Sequence, residues 1–192
     1  MPSYLQKQFG RRDGYHELLL FLLHEYFIRR TESQWWSYLQ MLPTPDELLN
    51  PLLFNQSAVE SIKPSVLHDQ TVAYQTRVAK SFSNLQRLKS LTHFLPPHIL
   101  SFENYRWATA ILDSRSIWWN GRRHLVPLLD TINCKQGPPG AKVHSTKLDS
   151  KSKFAETRAA WAFQAGEQVF ENYGQPNHIY FLYHGFVLEE NA

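Results

Sequence analysis

The residues most able to do chemistry lie in four short stretches of the C-terminal half. These are Asp113-Ser114-Arg115, residues 125–134, Ala165-Gly166-Glu167, and Glu171-Asn172-Tyr173-Gly174 with His184-Gly185-Phe186 behind it. Taken singly, each is ordinary: Arg115 could cap a helix, Asn133 could sit in a turn, and Tyr173 could be a packed aromatic. A tyrosine hydroxyl with its usual pKa of about 10 is neutral at pH 7, so it would orient a reactant by hydrogen bonding rather than remove its proton.

The order of these stretches is more specific than any one of them. An apolar segment ending in Asp-x-x-Asn is followed by a variable loop, a turn with Ala-Gly-Glu, then Asn-Tyr-Gly and Gly-Phe. This series resembles the C-terminal half of a SET domain, in the branch similar to Rubisco large-subunit methyltransferase. The matching stretches are 102–108, Ser114-Arg115, 125–133, 165–170 and 172–174. Residues 18–43, with Trp35-Trp36 and Tyr38-Leu39, look like the helical insert of that branch.

The resemblance implies an α+β fold in which a helical insert is followed by small β-sheets. Residues 1–100 would form the insert region and residues 101–192 the C-terminal catalytic half of one domain. The C-terminal segment is expected to thread through a loop, a pseudoknot that departs from usual chain topology. The family's glycine-rich strand pair and helical substrate-binding domain have no counterpart between Met1 and Ala192, so we expect an incomplete SET fold and doubtful activity of this chain alone.

The function implied by the resemblance is S-adenosylmethionine-dependent methylation of a protein lysine, without a metal. A histidine substrate is less expected, because Leu129 stands where the histidine-methylating sub-branch has tryptophan. Tyr173 takes the position of the catalytic tyrosine. The residues expected at the cofactor are Arg115, facing its carboxylate, with Asp130, Asn133, Cys134 in place of the family's usual histidine, His184, Gly185 and Phe186. Those expected to line the substrate channel are Trp107, Tyr180 and Phe186.

A different interpretation also fits the residues: a degenerate, non-enzymatic SET remnant that binds a partner protein through its helical insert. Cys134 and the missing glycine-rich strands favour that alternative. Nucleic-acid binding through Arg122, Arg123 and the lysines of 142–153 is not expected, because the charge is modest and no stacking aromatics accompany those lysines.

Composition limits the class of protein further. The chain has 192 residues, of which 43% are hydrophobic and 19% charged, so it can bury a core. Its net charge is only +3 and its single cysteine, Cys134, forms neither an intrachain disulfide nor a cysteine zinc cluster. The longest strictly apolar run, 18–23, is far shorter than the ~20 residues of a membrane span. We therefore expect a soluble intracellular protein, cytoplasmic or nuclear, without a secretory or transit peptide.

The elements that must position these residues follow from hydrophobic spacing. Apolar residues three and four apart predict helices over 15–30, within 33–39 and over about 72–91, and Ser101 is a candidate N-cap for another helix that contains Trp107. Thr44-Pro45-Asp46-Glu47 matches a capping box. Strands are predicted over 125–129, 157–163 and 168–170, with a turn at 164–167 and a solvent loop over 137–153.

Overall fold

The computed structural model describes residues 14–119, 121–143, 146–149, 151, 154–189 and 191. Within these ranges helices dominate the first part of the chain and short strands the second. The α-helices are Tyr15–His24 (α1), Trp36–Leu39 (α2), Gln56–Ser61 (α3), Val66–Gln86 (α4), Phe102–Arg115 (α5) and Asn177–Ile179 (α6). The strands are Ile117–Trp119 (β1), Arg122–His124 (β2), Asn133–Cys134 (β3), Thr146–Leu148 (β4), Ala155–Thr157 (β5) and Phe170–Glu171 (β6).

One hydrophobic core joins helices α1, α2, α4 and α5. Helix α1 contributes four buried leucines, since its apolar run presents a side chain to the core on nearly every turn. It continues as a π-helical turn over Glu25–Arg29, so the predicted helix over 15–30 is confirmed. Helix α4 begins earlier than predicted, because the Ser65 hydroxyl accepts the backbone N–H of Leu67, 3.2 Å away, and caps it.

Helix α5 is the element that carries the core into the functional region. Ser101 caps it as predicted, accepting the N–H of Asn104 at 3.1 Å. Trp107 and Ile111 are buried in the middle of the helix, where the core holds its orientation. Its last turn holds Asp113 and Arg115, which are thereby fixed at the border between the helical core and the strands.

The strands form three two-stranded sheets within the described ranges. Antiparallel β1 and β2 follow α5 directly, and antiparallel β4 and β5 lie farther along the chain. Parallel β3 and β6 pair Asn133 with Phe170 and Cys134 with Glu171. This third pairing joins the Asn133 stretch to the Tyr173 stretch, as the resemblance implies; the threading of the C-terminal segment through a loop remains a prediction.

The predicted strand over 125–129 is wrong. Leu128 has a φ of 74°, outside the extended region, and its side chain is 72% exposed. Pro127 lacks an N–H for a strand ladder. The Asp130 N–H instead bonds to the Val126 carbonyl at 3.2 Å, and a 3₁₀ turn follows over Leu129–Thr131. Asp130 is therefore placed by a turn rather than by the end of a strand.

The strand predicted over 157–163 is wrong, because β5 covers Ala155–Thr157 and shares only Thr157 with it. The strand predicted over 168–170 is displaced toward the C-terminus, since β6 covers Phe170 and Glu171. The turn between them is confirmed, with the Glu167 N–H on the Gln164 carbonyl at 3.1 Å. Strand β4 lies inside the predicted solvent loop, which is wrong to that extent, while residues 144–145, 150 and 152–153 of that loop lie outside the described residues.

No helix in the described part of the chain is both long and apolar enough to span a membrane. The same residues bring no three His, Cys, Asp or Glu side chains together in a way that could hold a metal ion.

Candidate active site

A cavity of about 480 Å³ opens where the end of α5 meets the strands and the C-terminal segment. Its walls come mainly from the end of α5 with β1, the 3₁₀ turn before β3, the stretch from β6 onward, and the π-helical turn over Tyr180–His184. Arg123 of β2 and Thr146 of β4 complete the lining. Among its lining residues are Asp113, Arg115, Trp119, Arg123, Asp130, Tyr173 and His184. Two buried ion pairs lie in this wall, each with a tyrosine from the helical core.

The first cluster consists of Tyr38, Asp130 and Arg115. The Tyr38 hydroxyl, from α2, donates to Asp130 Oδ2 at 2.6 Å. Arg115 Nη1 lies 3.6 Å from the same oxygen and donates to the Asp130 backbone carbonyl at 3.0 Å. The Asp130 side chain is 1% exposed, and this burial raises its pKa against the lowering effect of Tyr38 and Arg115. Asp130 Oδ1 has no hydrogen-bond partner among the described residues.

The second cluster consists of Tyr74, Asp113 and Arg123. Tyr74, from α4, donates to Asp113 Oδ2 at 2.7 Å, and Arg123 Nη1 lies 2.9 Å from Asp113 Oδ1. The same Nη1 also donates to the Leu112 carbonyl at 3.2 Å. The Arg123 guanidinium lies over the Tyr15 ring, 5.2 Å from its centroid. Burial raises the pKa of Asp113, while Arg123 is the largest influence that lowers it.

Tyr173 lines the same cavity as these clusters. Its hydroxyl donates to the Ile132 carbonyl, which links the stretch after β6 to the one before β3. Burial is the main cause that raises the pKa of Tyr173, so the phenol is neutral at pH 7. The next residue, Gly174, has a φ of 67°, and a side chain there would meet Val143 at 2.5 Å. A glycine is therefore required to turn the chain after Tyr173.

An aromatic group backs Tyr173. The His184 ring lies 5.5 Å from the Tyr173 ring, and Phe186 stacks on Tyr180 at 4.9 Å. The fully buried Tyr180 accepts a weak Cys134 thiol contact at 3.5 Å. Burial lowers the pKa of His184 to about 4, against a hydrogen bond with the Ser114 backbone that raises it. His184 is therefore a neutral imidazole at pH 7.

Gly185 holds this aromatic group against the helical core. It has a φ of 79° and lies so close to the loop before Pro51 that a Cβ would stand 2.7 Å from the Leu49 carbonyl oxygen. Nearby, the Asn50 side chain donates to the Tyr183 carbonyl at 2.9 Å. The two contacts set the position of the His184 turn from outside the C-terminal half.

The predicted site residues divide into two groups. Arg115, Asp130, Tyr173 and His184 line the cavity. The others are not in the cavity wall: Asn133 is exposed on β3, and Cys134, Tyr180, Gly185 and Phe186 lie in the pairing and aromatic layers behind Tyr173.

Trp107 lies apart from the cavity, in contrast to its expected place in a channel. It is 2% exposed, packs on Tyr26 at 4.5 Å between centroids, and donates its indole N–H to the Pro43 carbonyl at 2.8 Å. Its position in the middle of α5 directs it into the helical core.

Sequence reasoning missed Tyr38, Tyr74 and the Asp113–Arg123 pair. The signal for the pair was present: Asp113 directly follows the buried Ile111 and Leu112 on a helix, and a buried carboxylate requires a charged or hydrogen-bonding partner. The identity of that partner depends on contacts between distant parts of the chain, which no local pattern reveals.

The chain is similar in sequence to known SET-domain proteins, although no family model matches it. It is 29% identical over 202 residues to the protein SET DOMAIN GROUP 40 of Arabidopsis thaliana. The alignment covers 89% of this chain and 40% of that protein. It is 27% identical over 177 residues to actin-histidine N-methyltransferase of Gallus gallus, and that alignment covers 83% of this chain and 28% of the relative. The human protein of that name is 26% identical, and its alignment covers 100% of this chain and 32% of the human protein. The chain thus spans well under half the length of these relatives.

The fold is similar to that of solved SET domains. Rubisco LSMT bound to AdoMet superposes with a TM-score of 0.73 at 22% identity, over 92% of this chain and 40% of that one. The SET domain of LSMT bound to lysine and AdoHcy gives 0.74 at 23% identity, with the same coverage. The sequence is thus similar to those of SET-domain methyltransferases, and the fold is that of the LSMT SET domain.

Proposed function

We propose that the chain carries an S-adenosylmethionine-dependent protein N-methyltransferase site whose substrate is a lysine side chain. The observation that carries this proposal is the convergence of Arg115, Asp130, Tyr173 and His184 on one cavity, within a SET fold. The similarity to proteins named as methyltransferases supports the same activity.

The cavity suits the proposed cofactor in size and in chemistry. Its volume of about 480 Å³ lies within the range of roughly 300–1,000 Å³ common for small-molecule sites. Both contacts of Arg115 with Asp130 use Nη1, whereas a guanidinium has five N–H donors, so Arg115 retains donors for a carboxylate. Ile117, Trp119 and Leu129 give the same wall apolar surface. Arg115 would hold the carboxylate, with Asp130 balancing its charge.

The protein side of the reaction is orientation and charge control. S-adenosylmethionine, when bound, supplies a sulfonium methyl group to a nucleophile. A neutral His184 adds no positive charge to the wall that faces a sulfonium. The Tyr173 hydroxyl gives its hydrogen to the Ile132 carbonyl, which leaves the phenolic oxygen as an acceptor for an amine N–H of the substrate. Holding the amine in line for displacement is the larger part of such catalysis.

A lysine substrate is supported by the cavity wall, where Leu129 stands directly before Asp130 instead of the tryptophan expected for a histidine substrate. A histidine substrate is the second candidate, because the chain matches actin-histidine N-methyltransferases along its whole length. Paired peptides that differ only in a central lysine or histidine separate the two: methyl incorporation into the histidine peptide alone would contradict the lysine assignment.

The test of the proposed function combines binding and transfer. We expect calorimetry to detect S-adenosylmethionine binding, and we expect methyl transfer to a lysine peptide that falls about 10²-fold in Tyr173→Phe, since a misplaced nucleophile has an effect of that size. Tyr105→Phe is the matched control, because its hydroxyl contacts Ser81 at 2.9 Å inside the core. An absence of both binding and transfer in the wild-type chain would overturn the proposal and favour a non-enzymatic SET-derived interaction module.

A further inference from the structure

Asp130 has a buried side chain and is also a residue of the cavity wall. Its carboxylate is buried yet lies in the cavity wall, and its contacts reach both halves of the molecule. On one side is the Tyr38 hydroxyl of α2, at 2.6 Å, and on the other is Arg115 of α5. The residue therefore connects the helical region to the arginine proposed to hold a carboxylate.

The Tyr38 hydroxyl favours the charged form of Asp130. Burial opposes ionisation of this carboxyl, and Asp130 Oδ1 has no partner within the described ranges. The hydrogen bond from Tyr38 is the largest single cause that lowers the pKa of Asp130, and Arg115 lowers it through its charge and through a hydrogen bond. Without its hydroxyl the carboxyl would more readily be protonated, and a neutral Asp130 would attract Arg115 less.

The attraction to Asp130 orients the Arg115 side chain. Its side chain is 25% exposed, and its described contacts are the Asp130 carbonyl at 3.0 Å and the Asp130 carboxylate at 3.6 Å. A long, partly exposed guanidinium held at only one residue loses much rotamer freedom when it is ordered. The direction of the Arg115 fork thus depends on the charge and placement of Asp130.

We propose that Tyr38 of the helical region is a positioning residue that acts through Asp130 to aim Arg115 at the carboxylate of the amino-acid portion of the cofactor. This inference rests on the proposed function only for the identity of the ligand. The arrangement lets the packing of α2 against the core tune the affinity of a site on the opposite side of Asp130.

The ligand arm of the test uses two probes that differ in the group Arg115 would hold. S-adenosylhomocysteine carries the amino-acid portion, and 5′-methylthioadenosine lacks it. We expect Tyr38→Phe to weaken S-adenosylhomocysteine binding about tenfold, as for a lost hydrogen bond to a charged group, and to leave methylthioadenosine within about twofold. Arg115→Met should show the same selective loss, and the double variant should lose no more than Arg115→Met alone. Equal losses for both probes would overturn the inference.

A matched control and a ligand-free arm separate this inference from the proposed function. Tyr74→Phe removes an equivalent hydroxyl, 2.7 Å from Asp113, and should leave the preference for S-adenosylhomocysteine unchanged. In the free protein, NMR should show the Asp130 carboxyl titrating at higher pH in Tyr38→Phe and the Arg115 guanidinium less ordered, with Asp130→Asn identifying the signal. The groups that face Asp130 are Tyr38, Arg115 and Tyr173. In Tyr38→Phe, Arg115 and Tyr173 are unchanged.

The outcomes are distinct. A wild-type chain that binds neither probe would contradict the proposed function, while the NMR comparison still decides whether Tyr38 positions Arg115. An Asp130 titration and an Arg115 order that are the same with and without the Tyr38 hydroxyl would overturn the inference, even in a chain that binds both probes.

Discussion

Two tyrosine–aspartate–arginine clusters lie in the same cavity wall and differ in how tightly they are closed. In the Asp113 cluster, Arg123 is 2.9 Å from the carboxylate and also bonds to the Leu112 carbonyl. In the Asp130 cluster, Arg115 is 3.6 Å from the carboxylate. Both aspartates are buried, and each receives a tyrosine hydroxyl from the helical region.

Both arginines line the cavity, and the Arg123 pair is the more tightly closed of the two. Arg123 is covered on its faces by Tyr15 and Trp118, at 5.2 and 5.3 Å. Arg115 has the more exposed side chain of the two arginines and the longer ion pair. The Asp113 cluster therefore joins α4, α5 and β2. The Asp130 cluster is built from the same three residue types, but its Arg115 guanidinium is more exposed.

The largest expected effect is on the closed cluster. Arg123→Met should lower the free energy of unfolding by about 3–5 kcal/mol at pH 7, because it leaves Asp113 buried without its nearest counter-charge. Arg115→Met should lower it by less, because its ion pair is longer, at 3.6 Å against 2.9 Å. Urea denaturation of both variants measures the difference, and equal losses would show that the two pairs have the same role.

The pH dependence of Arg123→Met sharpens that comparison. Burial already raises the pKa of Asp113 above its ordinary value, and loss of Arg123 raises it further. A carboxyl with a raised pKa in the folded state favours folding below its unfolded pKa and loses that contribution as pH rises through the folded one. The deficit of the variant should thus shrink toward acid pH. A deficit that is constant between pH 7 and pH 4 would contradict an uncompensated Asp113.

His184, which lines the same cavity, provides a second pH-dependent test. Its pKa is lowered from 6.5 to about 4 by burial, so it stabilises the fold fully above the unfolded value and loses that contribution as pH falls from 6.5 toward 4. The loss is at most about 3 kcal/mol for a shift of this size. His184→Gln should be less acid-sensitive in unfolding experiments, whereas the exposed His98→Gln should match the wild type. Identical acid profiles for all three proteins would contradict the burial of a neutral His184.

The two tyrosine hydroxyls should have smaller effects than the loss of Arg123. Tyr74→Phe and Tyr38→Phe each remove a hydrogen bond to a buried carboxylate, and each should lower the free energy of unfolding by about 1.5–3 kcal/mol. In the double-mutant cycle with its own arginine, Tyr74 should couple to Arg123 more strongly than Tyr38 to Arg115, because the Asp113 pair is shorter. Equal coupling energies would remove the distinction between the more and the less tightly closed cluster.

Local signals located much of the site without locating its geometry. The capping box at Thr44 and Glu47 forms as predicted, with Glu47 Oε2 accepting the Thr44 N–H at 2.8 Å. The Ser101 cap and the burial of Ile111 on α5 also follow from the sequence. Residues 125–129 look like a strand by composition, but a strand requires a partner, and a positive φ at Leu128 turns this segment toward Asp130 instead.

The sequence by itself determined the helices, their caps, and the order of motifs that indicates a SET-type domain with Arg115 and Tyr173 as candidate site residues. Those features depend on residues only a few positions apart. Only the tertiary structure decided which charges meet: Tyr38 reaches Asp130 from 92 positions away, and Tyr74 reaches Asp113 from 39. A buried carboxylate must be satisfied, but which side chain satisfies it is set by the packing of the helical core, because that packing alone brings distant parts of the chain within hydrogen-bond distance.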